Sequence, residues 1–179
     1  GAEIRFICRE HPGHLIPLLR GANYCTAVLP APAATRAKQS ASEVDYATWL
    51  GVEQSVDAEQ TLEALDDFNP DWLVVDHYGL DAAWESLMRP QTGRVFVIDD
   101  VANRQHDCDL LLDQNFYAAM ENRYASLIPH QARPLLGPRF ALLRPEFWKA
   151  RATLRERDGT VRRVLVFFGG VDPTEETER

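Results

Sequence analysis

The chain has 179 residues, 45% apolar and 26% charged, enough to bury a sizeable core and unlike a disordered or low-complexity polypeptide. A formal net charge of -8 argues against a nucleic-acid-binding face, which needs clustered Lys and Arg. No apolar run approaches the roughly 20 residues of a membrane-spanning helix and no signal peptide opens the chain, so a cytoplasmic protein is expected. The three cysteines, Cys8, Cys25 and Cys108, are odd in number and lack C-x-x-C spacing. Reduced thiols are expected rather than a disulfide framework or a structural zinc.

Glu3 to Cys8, EIRFIC, predicts a strand. Pro12 and Gly13 then turn the chain into a short helix with an apolar side of Leu15, Ile16, Leu18 and Leu19, and Gly21 is its stop. Cys25 to Leu29 is the next strand, and a strand, helix, strand unit favours a parallel sheet. Pro30 to Ser42 is small and polar without apolar period, which predicts an exposed loop, with Tyr46 and Trp49 placed to anchor its far end. Asp57 is the expected N-cap of a helix over Ala58 to Phe68.

Asp71 to Tyr78, DWLVVDHY, is the strongest strand signal, an apolar run ending in Asp76, His77 and Tyr78. After Gly79 comes a helix over Ala82 to Met88. Val95 to Ile98 predicts a buried parallel strand with Asp99 and Asp100 at its carboxyl end. A turn through Asn103, Arg104, His106 and Asp107 leads to a strand over Asp109 to Leu112, which ends in Asp113, Gln114 and Asn115. In an open α/β sheet, ligands sit in the crevice beyond the carboxyl ends of the strands, so these strands aim polar groups at one rim. Asp and Asn there also serve as turn formers and caps. His77 is a general base by residue type or a hydrogen-bonded structural residue, and Tyr78 either packs or contacts a ligand. His14 reads as cover for the short helix. No histidine or carboxylate spacing points to a metal.

A helix around Glu121 to Leu127, a strand through Leu135 and Leu136, and a long amphipathic helix from Pro145 through Arg155 complete the first domain, residues 1–156. Arg157 to Thr160, RDGT, reads as a linker. From residue 161 to 179 a second α/β domain is expected to begin, with a strand over Val164 to Phe168 and a glycine turn at Gly169 and Gly170. That turn is a weak phosphate-binding signal because it matches no complete glycine-rich fingerprint.

FICREHPGHLIPLL, DWLVVDHYGLDAAWE, VIDDVANRQHDCDLLLDQN, LLGPRFALLRPEF and VLVFFGGVDP occur in this order. Together they resemble the UDP-2,4-diacetamido-2,4,6-trideoxy-beta-L-altropyranose hydrolase family of pseudaminic acid biosynthesis. The resemblance implies a glycosyltransferase-B-like architecture, two doubly wound parallel-sheet domains with a UDP-sugar between them. It implies hydrolysis at C1 by water, with inversion and without metal or cofactor. It places Tyr78, Asp100 and Asn103 toward the sugar, and Arg144 with the Gly169 and Gly170 turn toward the phosphates. The family's first strand and its glycine-rich loop with the catalytic histidine have no counterpart here, so no catalytic residue is expected in this chain, which alone should be inactive. Val164 to Phe168 is then the segment expected to fill the first-strand slot, within one chain or as a strand-swapped dimer. A glycosyltransferase of the same architecture, or a non-catalytic nucleotide-sugar-binding module, would share these features.

Overall fold

The computed structural model describes residues 1–32, 46–154, 156 and 158–166. They fall into two compact units, 1–142 and 143 onward. The first unit is α/β with parallel sheets, the doubly wound class expected from the alternation of apolar runs. Strand β1 (Arg5–Arg9) pairs in parallel with β2 (Cys25–Leu29), and helix α1 (Ile16–Gly21) makes the crossover. Helix α2 (Gln54–Leu65) leads to a parallel four-stranded sheet in the order β3 (Trp72–Val75), β4 (Arg94–Ile98), β5 (Leu110–Asp113) and β6 (Arg133–Leu136). Between β3 and β4 lies α3 (Ala82–Met88), capped by Asp81 accepting the Ala83 amide at 2.8 Å.

The core follows the two-residue period of the strands. Val95 and Val97 of β4 are fully buried while Phe96 and Ile98, on the opposite face, are not. Val75, Val95, Val97 and Leu111 pack under Trp84 and Met88 of α3 and against Tyr124. Helix α2 ties the two sheets to this core. Arg5 of β1 donates to the Ala64 and Leu65 carbonyls, and Arg9 donates to Asp57, whose other oxygen accepts the Trp84 indole N–H at 2.9 Å.

Four expectations need correction. Asp57 does not cap α2, which starts at Gln54 behind Glu53; Asp57 lies inside the helix, buried, because the inward-turned Arg9 requires a carboxylate. The helix expected at Glu121 to Leu127 is only a 3-10 turn at Met120–Asn122 followed by further turns, since Arg123 and Tyr124 are drawn to polar partners across the fold. In the second unit, helix α4 (Pro145–Arg151) ends before Arg155 and buries no residue. No strand forms over 161–166, where Leu165 is 92% exposed, and neither sheet includes this segment. A single strand without a ladder partner gains no hydrogen bonds to offset its ordering. The expected insertion of Val164 to Phe168 beside the sheet within this chain therefore does not occur in its described part, and Phe167 and Phe168 lie outside the described residues. No helix among the described residues is long and apolar enough to cross a membrane.

Candidate functional site

A cavity of about 170 Å³ opens where β3, β4 and β5 end, lined by Asp76, Tyr78, Asp100 and Gln114 over a floor of Ile98 and Leu112. Parallel pairing puts it there: Val75 is in register with Val97, and Ile98 with Leu112, so the residues that follow each strand emerge side by side. The Tyr78 hydroxyl donates to Asp100 Oδ1 at 2.7 Å, and Asn115 Nδ2 donates to Asp100 Oδ2 at 2.8 Å. The Asp100 carbonyl accepts from Arg123 Nη2 at 2.6 Å and from the Tyr117 hydroxyl at 3.2 Å. Asp100 is thus fixed from four directions. The hydrogen bond to Asp100, then partial burial and the Asp100 charge, lift the Tyr78 pKa well above the ordinary tyrosine value, so Tyr78 keeps its proton for this bond.

Behind Asp100 the turn is locked by Asp99, which is 1% exposed. Its Oδ1 accepts from Arg104 Nη1 at 2.8 Å, and its Oδ2 accepts from the Ala102 amide at 2.9 Å and the Tyr124 hydroxyl at 3.0 Å. Burial alone would raise the Asp99 carboxyl, yet the Ala102 amide, Arg104, Tyr124 and His106 together hold it below the usual carboxylate range. Ala102 itself sits at φ +53°, a left-handed conformation that the capping bond of Asp99 stabilises. His106 is fully buried, its Nδ1 bonded to the equally buried Glu85 at 2.7 Å. Arg104 and His106, two of the polar residues of this turn, are its internal fastenings.

An aromatic group borders the cavity. Tyr46 and Trp49, the expected loop anchors, stand 5.1 and 5.9 Å from the Tyr78 ring, centroid to centroid. Gly79 permits this approach, because a Cβ there would come within 2.8 Å of the Tyr46 carbonyl. His77 turns back on its own strand end, its Nδ1 accepting the Gly79 amide at 3.0 Å, and burial lowers its pKa. It does not line this cavity.

Tyr78 and Asp100, expected at one rim, are therefore in direct contact. Asn103 is exposed, its Oδ1 accepting from its neighbour Arg104 at 3.2 Å, and it is not one of the residues lining the cavity. Arg144 is the residue before α4 in the second unit, its guanidinium 5.8 Å from the Phe147 ring centre. Gly169 and Gly170 lie outside the described residues. His14 faces Glu10 at 4.0 Å. Asp76 and Gln114 were not selectable by residue type; their signal was position, one and two residues beyond an apolar strand. Among the described residues, no three His, Cys, Asp or Glu side chains are placed to share a metal ion.

No protein-family profile matches the chain. Over 100 residues it is 34% identical to the UDP-2,4-diacetamido-2,4,6-trideoxy-beta-L-altropyranose hydrolase of Campylobacter jejuni. The chain is similar to a nucleotide-sugar hydrolase. The matched stretch covers 56% of this chain and spans 35% of the length of the Campylobacter protein.

Proposed function

We propose that this chain supplies the sugar-holding part of an enzyme that hydrolyses a UDP-linked diacetamido-trideoxy sugar to free sugar and UDP. What carries the proposal is the Tyr78 to Asp100 hydrogen bond at the rim of a cavity beyond parallel strands, where ligands of such sheets bind. The similarity to the Campylobacter hydrolase supports the same substrate class. Residues 1–156 then belong to the sugar-side domain and residues from 161 begin the nucleotide-side domain, with Arg144 of the first and the Gly169 and Gly170 turn of the second meeting the phosphates.

Chemically, UDP is already a good leaving group, so the task is to hold C1 in line for attack by water and to take up its proton. Asp100, its carboxylate held by Tyr78 and Asn115 and its main-chain carbonyl by Arg123 and Tyr117, in turn keeps the Tyr78 hydroxyl in place at the rim, so that the sugar meets a site that need not reorganise. No histidine lines the cavity. A version of the protein spanning the full length of the relative, given the UDP-linked diacetamido sugar, should release UDP and free sugar in equal amounts. In it, Asp100→Ala should lower kcat/KM by about 100-fold through loss of positioning. Sugar transferred to an acceptor instead of water, or no turnover at all, would contradict the proposal.

A further inference from the structure

The carboxylates of the cavity are not equivalent. Asp99 has both oxygens engaged inside the fold, and Asp100 has both taken by Tyr78 and Asn115. Asp76 also lines the cavity; its residue is exposed, and its carboxylate forms no hydrogen bond or ion pair with another of the described residues. It is the acceptor left for a ligand. Gln114 has the complementary character: its Oε1 accepts the Leu142 amide at 3.0 Å, and since a backbone N–H can only donate, the amide orientation is fixed and Nε2 is the free donor. Ile98, Leu112 and Leu142 add an apolar wall to the same cavity.

An acceptor, a donor and an apolar wall match one common substituent, the N-acyl group: N–H, C=O and methyl. No Lys or Arg lines the cavity, so its three carboxylates, Asp76, Asp99 and Asp100, would repel a phosphate there. At about 170 Å³ the space is also below the roughly 300–1,000 Å³ of a complete ligand site, which suits one substituted ring and not a nucleotide. We propose that Asp76 and Gln114 are the specificity-determining pair for an N-acylated sugar, Asp76 accepting the amide N–H, Gln114 donating to the carbonyl, and the leucines and Ile98 receiving the methyl. The assignment rests on the sugar-holding reading above and names the substituent recognised.

The chain itself can be tested by saturation-transfer NMR with N-acetylglucosamine, glucose and UDP as probes. The acetyl methyl should receive the strongest transfer. Asp76→Ala, which breaks no side-chain hydrogen bond among the described residues, and Gln114→Glu, which keeps the bond to the Leu142 amide but replaces the donor with an acceptor, should each weaken N-acetylglucosamine binding by about tenfold. Neither should alter far-ultraviolet circular dichroism. Glucose competing as well as the N-acetyl sugar, or methyl transfer unchanged in both variants, would overturn the assignment. The two proposals separate cleanly: N-acetyl binding through Asp76 with no hydrolysis by the longer protein removes the enzymatic reading alone. Hydrolysis with KM indifferent to both variants removes the specificity pair alone.

Discussion

Asp76 and Asp99 stand on neighbouring strand ends and are displaced in opposite directions. Asp76 is an exposed residue, yet partial desolvation at the rim raises its carboxyl, His77 partly offsets this and Asp100 adds to it, and solvent screening keeps the effect small. Folding therefore strengthens proton binding at Asp76, and its ionised form costs stability as pH rises from the unfolded carboxylate value through the raised folded one. Asp76→Asn should accordingly raise the urea midpoint slightly at pH 7 and leave it unchanged at pH 3; an equal effect at both would refute the assigned cause. For Asp99 the sign is reversed. Its folded carboxyl binds protons more weakly than the unfolded one, so its contribution is complete above about pH 4 and is lost as pH falls through the lower folded value. Arg104→Ala removes one source of that depression and should flatten the acid limb of the stability profile. At Tyr78, substitution by Phe deletes one donor to Asp100 and should cost about 1 kcal/mol in urea denaturation.

Among the elements, α2 carries the connection that the sequence pattern conceals. Asp57→Ala would leave Arg9 buried without a partner and cut the link from β1 to α3, at a cost of about 3–5 kcal/mol measured by denaturant unfolding. A stable fold after that change would contradict the role given to Asp57. The strands were legible because each is a short apolar run whose two-residue alternation is local, as in Val95 and Val97 of β4. The Tyr78 and Asp100 rim was legible for the same reason, since strand ends define it. Asp57, Glu85 and His106 were not, because what fixes a buried polar side chain is a partner 21 to 48 residues away. The thiols divide likewise. Cys25 is exposed while Cys108 is 1% exposed, burial pushing its thiol up to about 12. Iodoacetamide should label Cys25 and spare Cys108 until the protein is unfolded.

At the scale of the molecule, the first unit works by registration. Parallel strands in step deliver Asp76 and Tyr78 from β3, Asp100 from β4 and Gln114 from β5 to one edge, and buried fastenings at Asp99, Glu85 and His106 keep that edge rigid. Such rigidity matters to a ligand, because groups already in place need not be ordered when it binds. The most direct test is an amide chemical-shift map of this chain titrated with a UDP-linked diacetamido sugar. The account predicts that the perturbed amides cluster at residues 76–80, 98–102 and 112–115. Saturable shifts confined to other parts of the chain, with those three strand ends silent, would contradict it.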